Sequence, residues 1–382
     1  MAGRLLRSLC TAALAAATAV SVPAAPAVGA PAPPPPTTVS GMLTQLQTLY
    51  RQAEEAGETY NATEEELKRQ RARTARLARE LARARTAVVA ARDDAGRLAR
   101  EQYRGGSDFS AYLWLLLARN PEQALDQDHL IERAAADRLA TMAGLEAGAK
   151  RAAGLAAASR KALREELTLA VKQKEARDTA TARLKDIEEM LASLSADEIA
   201  EVAALERSNA AEAQKKLLAS GVLGGKRTPT RKGERALEYA VAQIGKPYVW
   251  GGEGPHSYDC SGLTSQAWAQ AGREIPRTSQ EQWAGLTKVS LRSLRPGDLV
   301  IYYPKATHVA IYLGGGMVVQ APRPGTKVKV SPIAANPLIG AVRPDPDGSP
   351  LSSYTPPRLP KGATAGTDDG YFAAEAPDTS AK

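Results

Sequence analysis

The stretch Asp259-Cys260-Ser261-Gly262-Leu263-Thr264-Ser265-Gln266-Ala267-Trp268 decides the reading of this chain. Leu263, Ala267, Trp268 and Ala271 recur at helical spacing, so a helix is predicted to begin near Cys260 with one face on a core. A thiol at that position meets unpaired backbone N–H groups and the positive end of the helix dipole, and both favour the thiolate. The only other cysteine, Cys10, lies in a segment expected to be removed on export. One remaining thiol cannot form a disulfide within the chain and is too few for a structural zinc site, so it calls for a chemical explanation.

A nucleophilic thiol needs a base. Of the three histidines, His129 falls in a helical repeat and His256 in a polar Gly/Pro/Ser loop, whereas His308 begins a strand. His308, Ala310 and Tyr312 share one face of that strand, and Gly314-Gly315-Gly316 turn the chain into Met317 to Ala321. If Leu313 pairs with Met317, Ala310 lies opposite Gln320, and His308 and Gln320 become diagonal neighbours. Gln320 could then hold the imidazole and select its tautomer. Taken singly, either residue could be an ordinary packed polar side chain; the pairing with a lone helix-start cysteine favours chemistry.

Working outward, residues 1–30 read as an export signal. Arg4 and Arg7 precede an apolar run from Leu9 to Val22, with small-residue cleavage options between Ala25 and Ala30. The expected location is therefore outside the cell, secreted or in the cell wall. Residues 31–39 form a Pro-rich linker. From 40 to 218 the pattern is heptad-like: Leu46, Leu49, Ala53, Ala56, Tyr60, Leu67, Leu77, Leu81, Ala84 and Val88 in a first run, and Met142, Leu145, Leu163, Leu184, Ile187 and Leu191 in a second. Gly105-Gly106 and an apolar cluster at 111–117 separate the two, which predicts an antiparallel helical hairpin with the cluster near its distal end. That cluster reads as a small local core or as a docking surface for a membrane-protein regulator.

A Gly-rich linker, 219–232, precedes a compact segment at 233–345. That segment opens with a helix and closes with short strands at 298–303, 308–313, 317–321 and 327–330. A tail at 346–382 is predicted to be disordered. The fold class expected is an α+β, papain-like catalytic domain preceded by a long antiparallel α-helical coiled-coil hairpin. The formal net charge of +8 is concentrated between Lys68 and Arg104, where twelve basic residues face four acidic ones. Outside the cell the available polyanions are wall polymers and lipid surfaces rather than nucleic acid, and the plainer reading is a solvated helix face.

Tyr248-Val-Trp-Gly-Gly, Asp259-Cys-Ser-Gly-Leu, Leu294-Arg-Pro-Gly-Asp-Leu-Val and His308-Val-Ala-Ile-Tyr-Leu-Gly together resemble the signature set of the NlpC-type cell-wall peptidases, within the papain-like cysteine peptidases. The preceding coiled coil is similar to helical domains found ahead of such peptidases in actinomycete exported proteins. The resemblance implies hydrolysis of peptidoglycan stem peptides, typically between γ-linked D-glutamate and the following diamino acid, with no metal or cofactor. It matches Cys260 to the nucleophile and His308 to the base. Gln320 takes the third polar position, where histidine is common. Tyr248, Asp259 and Ser261 match substrate-binding positions; their plainer readings are a packed tyrosine, a helix N-cap and a first-turn serine. Two other function classes remain open at this point: a non-catalytic wall-associated scaffold, and an acyltransferase on the same fold. The helical region is expected to position the enzyme or to restrain it.

Overall fold

The structure is a computed structural model that describes residues 38–104 and 121–364. The expected export signal and the apolar cluster at 111–117 lie outside the described residues.

Two long helices come first, α1 (Val39–Arg104) and α2 (Pro121–Ala192), followed by α3 (Ala196–Ala219). At 66 residues α1 is about 100 Å long. The pair is antiparallel: Gln70 donates to the Ala162 carbonyl at 2.9 Å, and Gly148 lies beside Val88. Ala53, Leu67, Val88, Ala162, Ala180 and Ile187 are buried along the seam, as heptads demand. Met142 and Leu163, expected in that seam, are instead 67% and 49% exposed. A two-helix seam covers only a narrow stripe of each helix, and alanines such as Ala162 fill it without them. Helix α2 ends at Ala192, and Ser195 starts α3 with a reciprocal cap to Glu198. Leu43, Leu46, Tyr50, Ile187, Met190 and Val202 then form a small core where α1, α2 and α3 meet. Among the described residues no helix is long and apolar enough to cross a membrane.

The C-terminal part has three short helices, α4 (Arg231–Ala242), α5 (Cys260–Gln270) and α6 (Ser279–Gly285), and six strands. The strands are β1 (Thr287–Val289), β2 (Leu299–Tyr302), β3 (His308–Gly314), β4 (Met317–Gln320), β5 (Lys329–Pro332) and β6 (Leu338–Arg343). They form one antiparallel sheet in the order β1-β6-β2-β3-β4-β5. Alternation along the strands gives two apolar faces. Leu299, Ile301, Val309, Ile311 and Val319 pack under Leu237 of α4 and Leu263, Ala267 and Trp268 of α5. Val300, Tyr302, Ala310, Tyr312 and Val318 form the other layer, joined by Leu217 near the end of α3 and Leu223 in the turn after it. This is the expected α+β arrangement behind a helical hairpin.

Three details differ from expectation. β1 and β6 were not foreseen. β5 is shifted two residues from 327–330, because Lys327 makes an isolated bridge to Pro247. The tail is not free from 346 onward: Leu351 N donates to the Pro229 carbonyl, Val330 N donates to the Ala363 carbonyl, and Ala363 is buried. Backbone pairing and one buried alanine hold this Pro-rich strip where composition alone suggests no packing.

Candidate active site

Asp259 caps α5: its Oδ1 accepts from Gly262 N at 2.6 Å. Gly262 is needed there, since a Cβ would fall 2.0 Å from the Gly252 carbonyl oxygen. The cap fixes Cys260 as the first helical residue, buried against β3. A hydrogen bond from the Val309 backbone reaches the sulfur, so the thiol lies against the residue that follows His308.

On β3 and β4 the pairs Gly314↔Met317, Tyr312↔Val318 and Ile311↔Val319 show a bulge that absorbs Leu313. The turn pair therefore differs by one residue from that expected, yet the register still carries Gln320 toward Ala310. His308 and Gln320 meet as predicted: Nε2 is 2.7 Å from Gln320 Oε1. With the amide oxygen accepting, Nε2 carries the hydrogen and Nδ1 is left for the thiol. The Tyr302 ring flanks the imidazole, with centroids 5.6 Å apart.

The cleft is filled by α1. Glu54, Glu58 and Asn61 project from one helical face and are buried. Glu54 Oε1 is 3.2 Å from His308 Nδ1. Glu58 Oε1 is 3.6 Å from Cys260 Sγ and accepts from Ser261 Oγ at 2.6 Å, while its Oε2 accepts from Ser279 N at 3.0 Å. Asn61 Nδ2 donates to Asp259 Oδ2 at 3.0 Å. Gly57 sits between the two glutamates, and a Cβ there would be 2.8 Å from Trp250 Nε1. Its missing side chain lets α1 approach so closely.

The electrostatics follow. Burial pushes the Cys260 thiol well above its ordinary value, and Glu58, Asp259 and Glu54 push it the same way, against the Val309 hydrogen bond. The activated thiolate expected at a helix start is therefore not favoured in this closed site, because burial first, and then the three carboxylates, favour the thiol. Burial opposes charge on His308, yet Glu54 and the bond to Gln320 raise it overall. Glu58 is raised from 4.5 to about 7, by burial first and then by Asp259, against the bonds from Ser261 and Ser279 and the charge of Arg277.

Asp259 serves as the N-cap and more. Arg277 donates to both its oxygens, at 3.1 and 2.7 Å, and to Ser261 Oγ at 2.8 Å, while Gly251 N donates to Asp259 Oδ2 at 2.9 Å. Tyr248 is buried in the same pocket; burial, then the charges of Cys260 and Asp259, raise its phenol well above the usual range. The structure thus gathers Cys260, His308, Gln320, Tyr248, Asp259 and Ser261 around one cleft. His129 is an exposed residue of α2. Sequence reasoning missed Glu54, Glu58, Asn61, Arg277 and Ser279. The available signal was a polar stripe at helical spacing around Gly57, inside an otherwise apolar heptad face. Among the described residues no cluster of His, Cys, Asp or Glu could hold a metal ion.

The NlpC/P60 family model matches residues 245–340. Over 111 residues the chain is 45% identical to a probable endopeptidase of Corynebacterium glutamicum, covering 29% of this chain and 53% of that protein. Over 121 residues it is 39% identical to a probable endopeptidase of Mycobacterium tuberculosis, covering 31% of this chain and 30% of that one. The crystal structure of the NlpC/p60 domain of the peptidoglycan hydrolase SagA is 38% identical, covers 29% of this chain and 97% of its own, and has a TM-score of 0.28. The chain spans about half the length, or less, of these curated relatives. With the helix-start thiol, the His308–Gln320 pair and the sheet that joins them in place, residues 245–340 belong to the NlpC/P60 family.

Proposed function

We propose that this chain is an exported peptidoglycan endopeptidase of the cysteine type, cutting stem peptides between γ-linked D-glutamate and the diamino acid, and that α1 holds it shut. The observation that carries the catalytic reading is the His308–Gln320 hydrogen bond beside a thiol at the first turn of a buried helix. With α1 withdrawn, His308 Nδ1 takes the Cys260 proton and the thiolate attacks the amide carbonyl. Backbone N–H groups near the start of α5 face the oxyanion, with Tyr248 as a further donor. His308 gives its proton to the leaving amine, then takes one from water, whose oxygen attacks the thioester and frees Cys260. Gln320 keeps Nε2 protonated throughout. Asp259, Ser261 and Arg277 form the polar wall that binds the acyl half of the peptide.

With α1 in place none of this proceeds, because Glu58 covers the sulfur and Glu54 occupies the imidazole nitrogen that the thiol needs. Purified cell wall incubated with the Gly57→Leu chain, whose α1 cannot seat against Trp250, should gain new amino termini, and with Gly57→Leu plus Cys260→Ala it should gain none. Equal release by both proteins would remove the peptidase reading. A new amide in place of two fragments would assign acyl transfer instead.

A further inference from the structure

A cavity of about 730 Å³ opens beside Gln320 and Glu54, between the catalytic domain and helices α1 and α3. Among the described residues its charged lining is Arg51, Arg207, Arg323 and Lys329 with Glu54 and Glu206. Arg323 and Lys329 belong to the catalytic domain. Lys329 pairs with Gln320 across β4 and β5, directly beside the orienting residue of the site. Arg323, in the β4–β5 loop, is nearly buried and grips Glu206 of α3 through both ends of its fork, at 3.0 and 2.9 Å.

The helices therefore place three carboxylates on three polar stations of the catalytic domain. Glu58 covers Cys260 and Ser261, Glu54 faces His308, and Glu206 fills the fork of Arg323. When the helices leave, Glu206 no longer fills the Arg323 fork. A guanidinium fork matches a carboxylate in shape as well as charge. The side of the cleft is fixed by the chemistry: the leaving amine must take its proton from His308, so the amine half of the substrate extends past the histidine, toward Gln320, Lys329 and Arg323.

We propose that Arg323, supported by Lys329, is the receptor for a carboxylate on the amine-leaving half of the substrate, and that Glu206 stands in for that carboxylate while the helices are docked. The inference rests on the peptidase reading above and adds a specificity determinant to it. The shared chemistry is a carboxylate on the diamino acid, which can be its side-chain carboxylate or, in a peptide ending there, the chain terminus.

The test uses the full chain and four defined peptides with γ-D-glutamate before the diamino acid. One carries a free side-chain carboxylate, one has that group amidated, one carries lysine, and one ends at the lysine with a free terminus. The readout is the ratio of KM values between peptides within one protein, which changes in helix docking do not move. The wild-type chain should favour at least one free carboxylate by about tenfold or more, the scale of a charge-assisted bidentate contact. Arg323→Met should collapse that ratio toward one, and Arg323→Lys should fall between. A ratio unchanged in Arg323→Met, or wild-type indifference to all carboxylates, would overturn the proposal. If no peptide is cut even when Gly57→Leu lifts α1 from the cleft, the peptidase reading fails separately. Calorimetric titration of free diaminopimelate into the full-length Glu206→Ala chain then decides the point: binding removed by adding Arg323→Met supports the receptor, and no binding refutes it.

Discussion

Acid should hold α1 in the cleft and alkali should release it. Glu58 has an ordinary carboxyl value of 4.5 when exposed and about 7 when docked. The docked form therefore binds the proton more tightly, and docking is weakened as pH rises from about 4.5 through about 7. At 1.36 kcal/mol per unit, the ionised carboxylate weakens docking by about 3 kcal/mol at pH 8 and by less than about 1 kcal/mol at pH 5. His308 acts in the same direction: its raised value means that its contribution to docking is lost as pH climbs above 6.5. Cys260 follows at the alkaline end, because its thiol ionises more readily once its burial is relieved and Glu58 and Glu54 leave.

Glu58→Gln isolates the first effect. The amide can donate to Ser261 Oγ and accept from Ser279 N, and it never ionises. Alkylation of Cys260 by iodoacetamide, read by mass spectrometry across pH 5 to 8.5, reports opening of the cleft. The wild-type chain should react on the order of 100-fold faster than Glu58→Gln at pH 8, and only a few-fold faster at pH 5. A ratio that stays flat across this range, or a variant that reacts faster than wild type at pH 8, would refute the argument that burial of this carboxylate strains the closed state.

Further outcomes follow from the same contacts. Gln320→Ala should lower kcat/KM by about tenfold or more, a share of the 10²–10⁴ that proton transfer supplies, and Gln320→His should restore most of it with a shifted pH profile. Arg277→Met leaves Asp259 buried without its cation and should cost about 3–5 kcal/mol in thermal or urea unfolding. Gly262→Ala forces a methyl into the Gly252 carbonyl and should destabilise the catalytic domain by about 1–3 kcal/mol or more, seen as a lower melting temperature.

The placing of Cys260, His308 and Gln320 was legible because its signals are local or periodic. Cys260 announces a helix start through Asp259 and through the apolar spacing behind it. The Gly314–Gly316 turn fixes the β3–β4 register closely enough to bring Gln320 to His308, even with a bulge at Leu313. The plug was not legible. Glu58 and Cys260 are 202 residues apart, and nothing along the chain ties one to the other. A glutamate at a helix surface is normally solvated; only the tertiary approach permitted by Gly57 buries this one. Strand β6 escaped notice because Pro337 directly precedes it and Gly340 interrupts it, Gly340 lying where a Cβ would meet the Trp283 ring. The heptad pattern placed the hairpin correctly yet overfilled its seam with Met142 and Leu163, since the pattern alone does not say how narrow the contact is.

The account depends on a competent thiol site closed by α1, and Gly57→Leu tests both parts at once. The added side chain cannot share space with Trp250, while its effect on helix propensity is the same whether α1 is docked or lifted. An overpacking cost of about 1–3 kcal/mol should raise cleavage of a γ-D-glutamyl–diamino acid peptide by roughly 5- to 100-fold over the wild-type chain. Adding Cys260→Ala should abolish that cleavage. Equal rates for wild type and Gly57→Leu, or cleavage that survives loss of the thiol, would contradict the account.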